Sequence, residues 1–279
     1  MGPYVKDTSQ QNSKLKHKVL VFDSGVGGLS VVAEIRKLLP NLSIDYLADD
    51  AFRPYGEKTV EAILERLPEL ISTLDIMLKP DAIVIACNTA STTALAAIRK
   101  KVSTPVIGVV PAIKPAAEMS LTKKIAVLGT PGTVRRQYVD DLIDSFAKNC
   151  SVKLRGTLKL VDYAERKLSG ETIDTSLIAA DIEPLFSKAQ VTDIDTIVLA
   201  CTHFPLLRQE LEMITGPSVN WIDSGAAIAR RVEQVLLKIK PQARERRRDI
   251  AFLMGPDTTP DRANAFQSFG FNKVIGLMS

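Results

Sequence analysis

Two stretches, Asp81–Cys87 (DAIVIAC) and Asp195–Cys201 (DTIVLAC), decide how this chain is read. Each is a short apolar run too brief for a helix, opened by an aspartate and closed by a cysteine. Continuous β-branched and aliphatic runs of this length read as strands buried on both faces, the signature of a parallel sheet. Other runs repeat the type: Lys18–Phe22, Ile44–Leu47, Val106–Val110 and Lys124–Leu128. Between them lie segments of helical periodicity: the stretch after Gly25, Thr59–Leu78, Thr93–Lys101, Val134–Lys148, Thr175–Ala189, Leu206–Ile214 and Ala226–Ile239. Pro68 and Pro184 predict a break or kink in two of these. Thr157–Leu160 reads as a further short strand, and Ile250–Met278 as an appendage packed on the fold. Strand–helix alternation of this kind predicts α/β architecture with mostly parallel sheets.

The echo between the two stretches extends further. Lys18–Gly25 (KVLVFDSG) is answered by Lys124–Thr130 (KIAVLGT), so two βα units recur in the same order. Two copies make a duplicated domain rather than a solenoid. The chain has 279 residues, enough for about two domains at about 150 residues each. It is 46% hydrophobic and 24% charged, which excludes collagen-like and wholly disordered classes. The net charge of +4 is too small to imply nucleic acid, and the basic run Arg244–Arg248 reads first as a solvated linker. Met1–His17 is polar and reads as a flexible leader without a secretory h-region. No apolar run approaches the ~20 residues of a membrane span, and a cytoplasmic location is expected.

Three cysteines cannot make a disulfide scaffold. Parallel α/β sheets bind ligands outside the carboxyl ends of their strands, where four polar segments fall: Asp23-Ser24-Gly25, Cys87-Asn88-Thr89, Gly129-Thr130 and Cys201-Thr202-His203. Free cysteine is often a small buried hydrophobe. A matched pair at equivalent strand ends, each followed by hydroxyl or amide groups, points instead to acid–base chemistry from two sides of one cleft. Cys150 has no such setting. Zinc held by Cys87, Cys201, His203 and Asp23 is disfavoured, because there is no CxxC and no second histidine nearby. Gly25, Gly27 and Gly28 permit close backbone approach to a ligand, yet neither a dinucleotide fingerprint nor a P-loop is present. In Arg53-Pro54-Tyr55-Gly56, Tyr55 is a candidate cleft wall and Gly56 a backbone donor. A non-catalytic binding protein using the same cleft remains an alternative at this point.

Six segments together resemble the glutamate racemases of the aspartate/glutamate racemase superfamily, in their proteobacterial form. They are VFDSGVGGLSV (21–31), YLADDAFRPYGEKT (46–59), VIACNTAS (84–91), VLGTPGTV (127–134), VLACTHFPLL (198–207) and IDSGAAIA (222–229). The resemblance implies two pseudo-symmetric three-layer domains with the active site between them. Residues 18–111 would form the first domain, completed by 222–279, and 112–221 the second. It implies an isomerase without cofactor or metal, interconverting L- and D-glutamate for peptidoglycan. Cys87 and Cys201 match the catalytic thiols, which act on D- and L-glutamate respectively, and Asp23 and His203 the groups assisting them. Asp23, Ser24, Tyr55, Gly56, Asn88, Thr89, Thr202 and His203 match the substrate-binding positions, with Thr130 and Thr133 nearby. UDP-N-acetylmuramoyl-alanine is the activator implied, with a monomer or homodimer as the assembly. An aspartate or hydantoin racemase is the rival within the superfamily.

Overall fold

The computed structural model describes residues 15–186, 193–243, 249–255 and 259–277. Most of the Met1–His17 leader, the Arg244–Arg248 run and the end of the Thr175–Ala189 helix therefore lie outside the described residues. The described strands are β1 (Leu15–Lys16), β2 (Lys18–Asp23), β3 (Ser43–Ala48), β4 (Ala82–Ile85), β5 (Val106–Gly108), β6 (Lys124–Gly129), β7 (Ser151–Gly156), β8 (Thr196–Ala200), β9 (Asn220–Ile222), β10 (Gln242–Ala243), β11 (Ile250–Met254) and β12 (Lys273–Leu277).

Ten of them build two wholly parallel sheets. One has the order β12-β11-β3-β2-β4-β5 and the other β7-β6-β8-β9. β1 and β10 form a separate antiparallel pair. Both sheets are covered on two faces, because successive side chains of a strand point opposite ways. Val19 and Val21 of β2 pack with the helices Leu29–Leu38 and Gly225–Leu236. Leu20 and Phe22 pack with Val60–Leu78 and Asn88–Lys101. In the second sheet Ala126 and Leu128 face the helices Lys159–Leu168, Thr175–Phe186 and Arg208–Thr215. Ile125 and Val127 face Ile113–Met119 and Gln137–Phe146. The expected three-layer α/β class is the one observed.

Several local expectations are corrected. Pro68 does not break its helix, which runs unbroken over Val60–Leu78 with Ile63, Leu67, Pro68 and Ile71 buried; burial of that face outweighs the lost backbone bond. Pro184 likewise lies inside Thr175–Phe186. The Val134–Lys148 helix is two helices, Pro131–Val134 and Gln137–Phe146. Thr157–Leu160 is not a strand: the strand is β7, and Lys159 opens a helix whose first turn Thr157 supports by accepting from the Lys159 N–H at 3.1 Å. β7 is an edge strand, so Lys153 and Arg155 interrupt the apolar signal. Finally, Ile250–Met278 is not an appendage, since β11 and β12 extend the first sheet.

In each sheet the strand order reverses beside a central strand: β3 and β4 flank β2, and β7 and β8 flank β6. Crevices open at such reversals. Asp23 and Cys87 follow the first, Thr130 and Cys201 the second.

Candidate active site

These strand ends line one cavity of about 450 Å³, within the usual range for a small-molecule site. Ser24, Tyr55, Gly56, Cys87, Asn88, Thr89, Cys201, Thr202 and His203 all reach it, as do Thr130 and Thr133. Asp23 does not line the wall; it is fully buried behind it. The structure thus brings the sequence-derived candidates together and moves one of them a layer back.

The two thiols have different neighbours. Cys87 ends the loop after β4 and precedes the first turn of Asn88–Lys101, a helix that starts earlier than its periodicity predicts. Its Sγ accepts a hydrogen bond from the Ser24 hydroxyl at 3.5 Å. Burial, with the nearby Asp23 charge, pushes the Cys87 thiol up to about 12. Cys201 follows β8 and lies 3.9 Å from His203 Nδ1. The far ring nitrogen, Nε2, meets Glu165 Oε1 at 2.9 Å. Burial pulls the His203 imidazole down, but its bonds to Cys201 and Glu165 and their charges hold it well above its ordinary range. Burial opposes the carboxylate of Glu165 in turn, yet His203, Arg262 and Arg53 hold it down to about 2.

Asp23 ties the two sheets. Its Oδ2 accepts from the backbone N–H of Gly25 at 3.3 Å and of Gly28 at 3.0 Å, and its Oδ1 accepts from the Thr202 hydroxyl at 3.3 Å. Burial still dominates and raises its carboxyl from 3.8 to about 6, against the pull of His203. At about 1.4 kcal/mol per pKa unit, that rise costs the folded state about 3 kcal/mol at neutral pH. The folded chain holds this proton more tightly than the unfolded one, so stability falls as pH climbs from about 4 to about 6 and then levels. Asp23→Asn is expected to remove most of that fall and to melt several degrees higher at pH 7.5. Thermal melts across pH check it; an unchanged pH slope with a lower melting point at pH 7.5 would count against it.

Tyr55 is buried, and its ring packs on Phe22 and Phe52. Its hydroxyl donates to Asp49 Oδ2 at 2.7 Å, and Arg66 clamps the same carboxylate through two bonds of 2.7 Å. It is therefore a wall held from behind. At Gly56 an added Cβ would meet Thr130 Cβ at 2.8 Å, which brings this turn against the second sheet's loop. Thr89, Thr130 and Thr133 form a triangle of hydroxyls with sides of 3.0 to 3.1 Å. Among the described residues the buried Asn88 Oδ1 has no hydrogen-bond partner. A buried polar atom without a partner is costly, and this one belongs to a residue of the cavity wall.

Two expectations change here. Gly25 lines the cavity as the expected approach to a ligand requires, whereas Gly27 serves the approach of one half of the protein to the other, since a Cβ there would strike Thr202 and His203, and Gly28 faces Tyr46 and Ala86 within the first half. Glu165 and Arg53 were missed, although both line the cavity. Glu165 lies in VDYAERK, which reads as a charged helix surface, and its helix was hidden by the misplaced strand. Among the described residues no group of three or more His, Cys, Asp or Glu could hold a metal.

A cleft bordered by two parallel α/β sheets, with a buried thiol after a strand of each, defines a protein of the two-thiol α/β class. The model of the Asp/Glu/Hydantoin racemase family matches residues 29–232. The glutamate racemase of Pasteurella multocida is 44% identical over 95% of this chain and 98% of its own length. That of Vibrio cholerae is 43% identical over 92% and 95%. Among solved structures, Escherichia coli glutamate racemase in complex with L-glutamate and the activator UDP-MurNAc-Ala superposes with a TM-score of 0.88 at 41% identity, covering 94% of this chain and 98% of that one. The chain belongs to the Asp/Glu/Hydantoin racemase family and, with these relatives, is an isomerase of the glutamate racemase type.

Proposed function

We propose that the protein interconverts L- and D-glutamate by a two-base proton transfer between Cys87 and Cys201, without a cofactor. The observation that carries the mechanism is the pair of buried thiols facing one cavity from the two sheets. Inversion at Cα requires a proton to leave one face and another to arrive on the opposite face. Two bases on opposite sides do this without turning the substrate, with one starting as thiolate and the other as thiol. Cys87, pushed up to about 12, rests as the thiol and is the acid when L-glutamate reacts. Cys201 then takes the α-proton, with the His203 imidazole beside it to relay protons to and from its sulfur. For D-glutamate the roles reverse.

The α-carbanion is the costly species. Asn88, Thr89 and Thr202 supply donors for the α-carboxylate, where negative charge grows. The unpartnered Asn88 Oδ1 supports a ligand group there, and the ammonium of an amino acid has the matching donor chemistry. Asp23 assists the Cys87 side. Ser24, Tyr55 and Gly56 lie where the substrate's far end is expected, with Thr130 and Thr133 close by. The division proposed is residues 18–111 with 222–279, and 112–221, which the two sheets support except that Ile222 ends β9 of the second. No described helix is long and apolar enough to cross a membrane, and a cytoplasmic enzyme supplying D-glutamate to peptidoglycan is the setting proposed. The activator named with the Escherichia coli relative is the effector proposed for this chain.

In deuterated water, either enantiomer of glutamate should yield product of the opposite hand carrying deuterium at Cα. Turnover without deuterium at Cα overturns the proton-transfer mechanism. A panel including aspartate and hydantoins should show glutamate preferred; preference for one of those would reassign the substrate. Assays with and without UDP-N-acetylmuramoyl-alanine test the effector.

A further inference from the structure

Arg262 lies outside every segment that carries the family resemblance. It sits in the helix Pro260–Ser268, whose first turn Thr259 caps by accepting from the Arg262 N–H at 3.3 Å. That helix is anchored by Phe266, which packs edge-on to Tyr46 of β3 with centroids 5.1 Å apart and against Phe271 at 5.8 Å. The Arg262 side chain is only 11% exposed. Its Nη1 donates to Glu165 Oε2 at 2.8 Å, its Nε donates to Asp50 Oδ2 at 2.8 Å, and its Nη2 bonds Asp50 Oδ1.

The other oxygen of Glu165 holds His203, and His203 faces the Cys201 sulfur. One guanidinium therefore spans from the loop after β3, in the first sheet's half, to the helix Lys159–Leu168 of the second. A bidentate hold on Asp50 fixes the fork in place. Arg53 also approaches both carboxylates, at 3.6 Å from Glu165 and 3.7 Å from Asp50, but its side chain is 33% exposed and its contacts are longer. The pair lies against the loop after β2: a Cβ on Gly25 would come within 3.2 Å of Glu165 Oε1 and 3.8 Å of Arg262 Nη2.

We propose that Arg262 is a positioning residue for the reaction, which from the returning C-terminal segment fixes the Glu165 carboxylate on His203 and so sets the imidazole beside Cys201. This rests on the two-thiol reading above. Without Arg262, Glu165 loses its better-buried arginine and the orientation that presents Oε1 to His203. The Glu165 carboxylate then draws off the imidazolium, and this loss of a contacting counter-charge outweighs the removal of the more distant guanidinium's like charge, so the imidazolium gives up its proton at lower pH. Asp23, Cys201 and Glu165 face His203, while Arg53, Arg262, Asp50 and the Tyr46 hydroxyl face Glu165 and its surroundings. Of these, Arg262 is the buried cation that bonds Glu165 directly.

The experiment is Arg262→Gln in the full chain, with the pH profile of kcat measured in both directions. Because L- and D-glutamate are equally stable, kcat/KM must fall by one factor for both enantiomers. The expected result is a kcat at least tenfold lower, KM within threefold, and the alkaline limb moved about one pH unit toward acid. Arg262→Lys should recover only part of kcat, because one ammonium cannot hold Asp50 and Glu165 together as the fork does. If Arg262→Gln does not fold, Asp50→Asn, which loosens the same guanidinium, should move the same limb in the same direction. A folded Arg262→Gln with kcat within twofold and an unmoved limb overturns the proposal, as does an Arg262→Lys variant whose kcat is no better than that of Arg262→Gln. The two-thiol reading fails separately, through full racemisation by the parent's Cys87→Ser or Cys201→Ser variant.

Discussion

Cys87→Ser and Cys201→Ser are each expected to lower the rate of glutamate racemisation at least ~10³-fold, because each removes an acid–base group whose typical contribution reaches 10²–10⁴. A serine hydroxyl is close to the thiol in size but is a far weaker acid. It neither accepts the α-proton as an anion nor returns one readily. The two losses should not multiply: racemisation already needs both bases, so the double variant should be no more than about tenfold worse than either single one. The singles should differ in what they retain. In Cys201→Ser, Cys87 still reaches the α-proton of D-glutamate, so slow deuterium exchange without inversion is expected from that enantiomer alone. Cys87→Ser should show the mirror behaviour with L-glutamate. NMR of the Cα proton with chiral product analysis reads both. Exchange from both enantiomers in either single variant would show that a third base works in the cleft.

The asymmetry around the thiols explains why half of the site was readable in the residues and half was not. Cys87 and Cys201 stood out because fully buried parallel strands leave a long apolar run, and the first polar residues after it fall at the carboxyl edge of the sheet. Asp23, Asn88, Thr89, Thr202 and His203 were found by the same rule. Their partners obey no such rule. Glu165 sits on an amphipathic helix among Asp162, Arg166 and Lys167, and local sequence does not separate a charge that turns inward from those that stay in water. Arg262 reaches the site only because β11 and β12 join the edge of the first sheet, a pairing between residues more than two hundred positions apart. The edge strand β7 was missed for a related reason. Its polar alternation is what an edge tolerates, and it resembles an exposed loop.

Gly27→Ala should disable the enzyme while leaving it folded, with kcat down about 100-fold, the loss associated with misplacing a catalytic group by about 1 Å. The Cβ built at Gly27 would lie 2.5 Å from Thr202 Oγ1 and 2.7 Å from His203 Cε1, and closer still to His203 Nδ1. Neither side chain can move freely. His203 is held by Glu165 at 2.9 Å, Thr202 donates to Asp23, and the Thr202 carbonyl accepts from Ser30 at 2.8 Å. The cheapest relief is to push the Cys201-Thr202-His203 loop away from the loop after β2, which widens the cleft and carries Cys201 and His203 together away from Cys87. The hydrophobic layers of both sheets lie behind these loops, so the melting temperature should fall by only a few degrees. The equal stability of the enantiomers makes kcat/KM fall by one factor for both, and because both thiols depend on the same cleft width, deuterium exchange from either enantiomer should fall with it. Parent-like kcat in folded Gly27→Ala would mean that the two halves are free to part at this point without consequence. The contact across Gly27 would then be packing alone, and the close approach of Thr202 and His203 to that backbone would have no share in proton transfer.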